Sequence, residues 1–313
     1  MEQWLVPTSV TVLPCASSIL ILAPHPDDEI FGCGGAIALY AKKACKIHVH
    51  ILTDGAGYET DREDIKNIRQ QESITALKLI SKDKASISFG EHEDRKLLTS
   101  TGLFKEIQLL IEEHQPEIIF CPSPWEIHPD HRACARAIAT LHMEKLVNVK
   151  HIMFYEIGNL LRCNTLLDIT QVWNEKYEAM QIFLSQIKNQ NYSRHIEGLN
   201  SYRTYNLPKE VLFSEAYFKL SANNFSDLNS IDQLWFKSVI DSATVFSEQL
   251  QMEILTLNKE NNELLDAVKK IKHFNELILQ KEFELKQEIF KLKNSSSWRI
   301  TAPLRKIASF FRR

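Results

Sequence analysis

Short apolar runs punctuate the first half of the chain, and segments of helical spacing fall between them. The runs at 19–23, 47–52, 86–89, 117–121 and 151–155 read as strands. Segments at 63–81 and 101–114, whose apolar residues recur three and four apart, read as amphipathic helices whose stripes cover a sheet. Strands apolar on both faces, alternating with helices, predict an α/β fold with a doubly wound, mostly parallel sheet. Beyond about residue 221 the chain turns Asn-, Asp- and Ser-rich, and from Leu250 to Leu292 it follows a seven-residue seam. Leu250, Leu257, Leu264, Ile271, Ile278, Leu285 and Leu292 form one series, and Ile254, Asn261, Val268, Asn275, Glu282 and Ile289 the other. Sustained heptads predict a long C-terminal coiled-coil helix, and single Asn residues in the second series favour a parallel homodimer. A lone amphipathic helix folded back on the first domain is the competing reading. The expected layout is a globular domain at 1–220, a helical linker at 221–246, a coiled coil at 247–293 and a tail at 294–313.

Two of the strands end in clusters of ionisable residues. Ile19 to Ala23 stops at Pro24-His25-Pro26-Asp27-Asp28-Glu29, and Ile118 to Cys121 leads through Pro122 and Trp125 into His128-Pro129-Asp130-His131. Ligands of open α/β sheets gather outside the carboxyl ends of strands. His25 and Asp28 lie three residues apart on a Pro-braced turn, so an imidazole and a carboxylate can converge on one cation. That donor pair suits Zn2+ or another divalent transition metal. With Asp28 facing the cation, Asp27 is a free carboxylate beside it, where a general base stands. The competing reading of this cluster is a solvated loop whose Asp residues cap the next helix. The second cluster weighs against that reading. His131, near the first turn of an Ala-rich helix over 133–141, completes a three-ligand set with an open fourth position. His128 is then left unligated nearby, able as an imidazolium to steady an oxyanion, with Asp130 placed to hydrogen-bond one of its ring nitrogens.

The two clusters, with Gly32-Cys33-Gly34-Gly35 after the first, resemble the signature of the PIG-L/LmbE de-N-acetylases. The likeness spans roughly residues 15–220 and takes in Leu52-Thr53-Asp54-Gly55, Ile68-Arg69-Gln70-Gln71-Glu72, Asp168-Ile169-Thr170, Ser185-Gln186 and Glu215-Ala216-Tyr217-Phe218. It implies a Rossmann-like, LmbE-like fold with zinc on His25, Asp28 and His131, Asp27 as base, His128 at the oxyanion and Asp130 tuning His128. The implied reaction removes an N-acetyl group from an amino sugar, giving a free amine and acetate. Arg69 and Asp94 match places where the family meets sugar hydroxyls, and Arg203 is a third candidate contact. The loop Glu91-His92-Glu93-Asp94-Arg95 departs from the family's Pro-Asp-Gly form, so ion pairs or a solvated loop compete with substrate contact there. The glycines lack the spacing and the Lys of a phosphate cradle and read instead as close approach of a helix to the sheet. His92, His114, His142 and His151 have no partner in sequence that singles them out.

Composition refines the picture. With 313 residues, 44% hydrophobic and 25% charged, the chain suits one large soluble core. A net charge of -3 exerts no pull toward nucleic acid. No segment reaches eighteen uncharged apolar residues, so neither a membrane span nor a secretory signal is expected. Six cysteines without short paired spacing read as reduced core residues of a cytoplasmic protein. The tail carries five basic side chains, no acidic ones, and Trp298, Phe310 and Phe311, which fits an anionic membrane surface, or equally a loose end or dimer-docking segment. Its run from Ser296 to Arg305 resembles the ends of bacterial glycosyltransferases and other cell-surface polysaccharide enzymes, where it likewise follows a coiled coil. Together these imply a cytoplasmic enzyme, peripheral at the inner membrane and in contact with glycan-assembly enzymes, in lipopolysaccharide or related biosynthesis. Its substrate would be nucleotide-linked, lipid-linked or polymeric. Two rivals stand beside it: a glycan-binding scaffold with an inactive deacetylase fold, and a zinc amidase or esterase acting on a non-sugar substrate.

Overall fold

A computed structural model describes residues 7–57, 62–141, 146–188, 190–222, 275, 277–287 and 291. The chain runs β1 (Ser18–Ala23), α1 (Asp28–Ala41), β2 (Lys46–Thr53), α2 (Arg62–Ser81), β3 (Ala85–His92), α3 (Leu103–His114), β4 (Ile118–Pro122), α4 (Pro129–Thr140) and β5 (His151–Tyr155). These five strands pair in parallel in the order β3-β2-β1-β4-β5. The strand order reverses between β1 and β4, and that switch point is where open α/β sheets hold their ligands. Alternation along β1 sends Ile19, Ile21 and Ala23 into one apolar layer with α1 and α2, and Leu20 and Leu22 into the other with α3 and α4.

After β5 come β6 (Thr165–Asp168), α5 (Trp173–Met180), α6 (Leu184–Ile187), α7 (Tyr192–Tyr202) and β7 (Ser214–Ser221). β7 pairs antiparallel with β5, and β6 antiparallel with β7, which extends the sheet by two strands beyond those read from the sequence. β6 is only four residues long, and β7 carries Glu215 and Lys219 within its apolar alternation, so neither shows as an apolar run.

Helix α1 is buried along its whole length. A Cβ on Gly32 would lie 2.4 Å from the Tyr155 ring, and one on Gly35 would lie 2.4 Å from Ile169 Cγ2, so these glycines do serve close approach. The same stretch is held by a buried ion pair. Glu215 accepts from the amides of Gly35 (2.7 Å) and Ala36 (2.9 Å), from Lys176 Nζ (2.7 Å) and from the Tyr217 hydroxyl (2.6 Å). Lys176 Nζ also donates to Phe31 O (3.0 Å) and Asn200 Oδ1 (2.9 Å). In a regular helix the Gly35 amide would serve the Phe31 carbonyl. Lys176 and Glu215 reach the two members of that rung.

On β2 the alternation puts Ile47, Val49 and Ile51 in the core and turns His48 and His50 to the other face, opposite Ser86 and Ser88 of β3. His48 bonds Ser86 Oγ (2.8 Å) and Ser88 Oγ (2.7 Å), while His50 bonds Ser88 Oγ (2.7 Å) and Glu106 (2.7 Å). His92 joins Glu106 from the end of β3, and His114 stacks on His48 at 3.7 Å.

Cys33, Cys45, Cys121, Cys134 and Cys163 are buried free thiols, as expected, whereas Cys15 is exposed. Among the described residues no helix is long and apolar enough to cross a membrane. Residues 277–287 are helical, with Leu277, Ile278, Leu279 and Phe283 exposed. Apart from residues 275 and 291, the rest of the segment expected to form the coiled coil lies outside the described residues, as do nearly all of the expected linker, the tail and His142.

Candidate active site

Both clusters arrive at the switch point. His25 follows β1, Asp28 opens α1, and His131 lies in the first turn of α4 behind Pro129. His25 Nδ1 and Asp28 Oδ2 are 3.0 Å apart, His131 Nε2 and Asp28 Oδ2 3.1 Å, and the two imidazole nitrogens 3.3 Å. Donors about 2.0–2.2 Å from one tetrahedral ion lie roughly 3.3–3.5 Å from each other. The triangle fits a small divalent ion with little adjustment. Donor atoms gather in two wider sets as well, His25 with His128 and His131, and His25 with Asp94, His128 and Asp130, each within 4.8 Å. The Asp28 triangle is tighter and pairs two imidazoles with a carboxylate, so it is the better-matched cage. Burial depresses protonation of both imidazoles, but the facing carboxylates outweigh it: His25 is raised well above its usual value, and His131 to about 9. Burial likewise disfavours the Asp28 anion, yet His131 and His25 hold its carboxyl far below the ordinary range.

The supporting contacts follow the usual logic of metal sites, in which the rear nitrogen of a ligating His meets a carboxylate. His25 Nε2 lies 3.2 Å from Asp94 Oδ1 and 3.3 Å from Asp130 Oδ2. Asp94 also accepts from the Gly57 amide at 3.0 Å. The expectation for Asp130 needs correction. Its carboxylate accepts from the amides of Arg95 (2.6 Å) and Leu97 (3.2 Å) and faces His25, and it is its backbone N–H that reaches His128 Nδ1, at 3.3 Å. As N-cap of α4, His128 has Nδ1 committed as acceptor, which leaves Nε2–H as a donor. Burial, then His25 and His131, lower its pKa to about 4, which favours the neutral imidazole.

Asp27 does not cap α1 with its side chain; its backbone sits at φ 132°, in a region costly for a residue with a Cβ. Its amide donates to Glu29 Oε2 at 2.9 Å, and its carboxylate accepts from Arg69 Nη2 at 2.9 Å. Arg69 also donates to the carbonyls of Pro26 (2.7 Å) and Gly55. Burial raises the Asp27 carboxyl to about 7 against the pull of Arg69.

Residues 20–142 match the model of the PIG-L family, GlcNAc-PI de-N-acetylase. This stretch, about two fifths of the chain, is similar to a PIG-L domain. A probable N-acetyl-alpha-D-glucosaminyl L-malate deacetylase 2 of Bacillus subtilis is 29% identical, over 54% of this chain and 82% of the relative. A 4-oxalmesaconate hydratase of Pseudomonas putida is 26% identical, over 54% of this chain and 74% of the relative. The solved N,N'-diacetylchitobiose deacetylase of Pyrococcus horikoshii superposes with a TM-score of 0.56 at 21% identity, covering 66% of this chain and 85% of that one, and shares the fold. The family match and the deacetylase relatives support a de-N-acetylase hydrolase.

Beside the triangle lies a cavity of about 520 Å³ that His25, Asp27, Asp28, His128 and His131 line together with Arg69 and Asp94. Phe31, Ile127, Ile157 and Tyr192 supply its apolar wall. Arg203 is not brought there. Its guanidinium clamps Glu156 (Nε to Oε1 2.7 Å) and the Leu161 carbonyl (2.9 Å). A separate hollow of about 400 Å³ lies between Ser18, Lys46 and Ala85, where β1, β2 and β3 begin, and holds none of these groups. Sequence reasoning missed Glu29 as holder of the Asp27 amide, and Glu126, which stands behind His131. The only signal for Glu126 was an acidic residue two positions before His128.

Proposed function

We propose that this chain is a metal-dependent N-deacetylase that hydrolyses the acetamide of an N-acetylated amino sugar. One observation carries the reading: a tight two-imidazole, one-carboxylate triangle in a stretch similar to a PIG-L domain, flanked in one cavity by a carboxylate and by an imidazole outside the triangle. His25, Asp28 and His131 would hold Zn2+ or another divalent ion, which supplies Lewis acidity toward an acyl oxygen and toward water. Asp27, oriented by Arg69, takes the proton of the attacking water and returns it to the departing amine. His128 offers Nε2–H to the oxygen that gathers charge. Asp130 and Asp94 orient His25, and Asp94 reads as that support before it reads as a sugar contact. The apolar wall suits the acetyl methyl and one face of a sugar ring. The heptad seam over 250–292 supports a parallel homodimer, and the basic aromatic tail supports a place beside the inner membrane in cell-surface glycan assembly; both rest on sequence pattern.

Acetate release from nucleotide-linked, lipid-linked and oligomeric N-acetyl sugars, with metal content measured in the same sample and Asp27→Asn as control, tests the reading. Metal-dependent release that the variant lacks is expected. Absence of bound metal would remove the central claim, and metal without release from any carrier would favour a binding module. The hydratase relative favours a second reading, addition of water across a carbon–carbon double bond in the same cavity. Hydration of 4-oxalmesaconate without acetate release would support it.

A further inference from the structure

Glu126, on the loop between β4 and α4, is only 3% exposed and lies at the meeting of the candidate ligand His131 and the wall of the cavity. Its Oε1 accepts from the Ile157 amide (2.7 Å) and the Asn159 amide (3.4 Å), and its Oε2 from the Gly158 amide (3.0 Å). The same Oε2 is 3.5 Å from His131 Nδ1. With Nε2 in the donor triangle, a neutral His131 carries its proton on Nδ1. That buried nitrogen lacks a hydrogen-bond partner within normal geometry, and Glu126 Oε2 stands a few tenths of an ångström beyond it. Asn159 Nδ2 closes the other side on the Trp125 carbonyl at 2.7 Å. A Cβ on Gly158 would sit 3.2 Å from Glu126 Oε2, so glycine lets the loop lie against the carboxylate.

We propose that Glu126 is a positioning residue that fixes the tautomer and ring plane of His131 and, through the amides of 157–159, ties that ligand to the wall of the substrate cavity. One carboxylate thereby sets two things together: the direction of the His131 lone pair, and the place of Ile157 and Gly158, which line the cavity. The assignment rests on His131 being a metal ligand. Carboxylates in this position raise the basicity of the imidazole they face, and their loss typically weakens metal binding about tenfold to hundredfold.

The test uses the full chain stripped of metal, with Zn2+ alone titrated against a competing chelator, and amide exchange at 157–159 followed in the metal-free protein. Glu126→Ala is expected to weaken Zn2+ binding about tenfold to hundredfold and to speed exchange of all three amides. Glu126→Gln, which keeps an acceptor for the loop but removes the charge behind His131, is expected to slow exchange back toward wild type while Zn2+ affinity stays low. A role confined to the loop would move exchange and leave affinity alone. Should Glu126→Ala not fold, Glu126→Gln decides the matter by itself. Wild-type Zn2+ affinity in Glu126→Gln overturns the proposal, and a wild-type chain that binds no Zn2+ overturns both it and the metal site on which it rests.

Discussion

Replacing Lys176 by Met should cost about 3–5 kcal/mol, the range for removing one partner of a buried ion pair. The structure explains why little of that can be recovered. Lys176 and Glu215 are 0% and 1% exposed, so water cannot take over. The ammonium uses three donors, on Phe31 O, Asn200 Oδ1 and Glu215, and the carboxylate accepts four. Lys176→Met strips the donor from two acceptors and leaves a buried anion with three neutral donors. Glu215→Gln leaves a buried cation instead. The double variant carries no buried charge, so its loss should fall below the sum of the singles by at least about 2 kcal/mol. Urea unfolding followed by fluorescence, with Trp173 in α5 as a nearby reporter, gives the three values if the slope m is unchanged. Domain stabilities are about 5–15 kcal/mol, so the singles remain measurable. Single losses under about 1 kcal/mol, or singles that add within about 0.5 kcal/mol, would refute the claim that this pair joins α1 to β7.

Asp27→Asn should retain metal and lose activity by at least about a hundredfold, measured as kcat for acetate release with metal content alongside; full turnover would remove Asp27 as base. His48 is held neutral by burial, then by His114 and His50, with its pKa lowered to about 4. Below its ordinary value of about 6.5 the unfolded chain therefore takes up a proton that the folded chain refuses, and stability falls as the pH drops from about 6.5 to about 4. His48→Asn should flatten that part of the profile, and an unchanged slope would show that another group sets it. Gly35→Ala gains up to about 1 kcal/mol of helix propensity but meets Ile169 at 2.4 Å, so Tm should drop; a rise would contradict the close approach. Truncation after residue 245 should give a monomer in sedimentation that keeps deacetylase activity, and a dimer of unchanged stoichiometry would place the seam elsewhere.

The parts of the fold written as apolar runs were legible. β1, β2, β4 and β5 are covered on both faces, so each shows as a run ending at a turn, and the site motifs hang on β1 and β4. The antiparallel edge was not, because β7 buries Glu215 where the pattern calls for an apolar residue. Its partners Gly35 and Ala36 lie about 180 positions away in the chain. Within the site, the convergence of His25, Asp28 and His131 followed from residue types and spacing. The role of Asp130 did not, since its carboxylate bonds backbone amides of Arg95 and Leu97, which every sequence possesses and none advertises. Glu126 was invisible for the same reason, and Arg203 looked like a sugar contact because its true partner, Glu156, carries no motif.

That division has a physical root. The site buries six carboxylates, Asp27, Asp28, Glu29, Asp94, Glu126 and Asp130, and a buried carboxylate is costly unless hydrogen-bonded. Five of them accept backbone amides: Asp28 from His25, Glu29 from Asp27, Asp94 from Gly57, Glu126 from 157–159, and Asp130 from Arg95 and Leu97. An amide within a folded loop has little freedom to leave, so these five act as fixed struts that aim His25, His131 and the loops. Asp27 differs. It is held by a side chain, Arg69, on strained backbone, and it lines the cavity, whereas Glu29 is sealed behind it. A carboxylate that must exchange its contact for a water and then for an amine has to be the one not locked by the main chain, and strain held in place by the surrounding structure marks the same residue. The arrangement of donors around the six carboxylates thus singles out Asp27 without appeal to the motif in which it occurs.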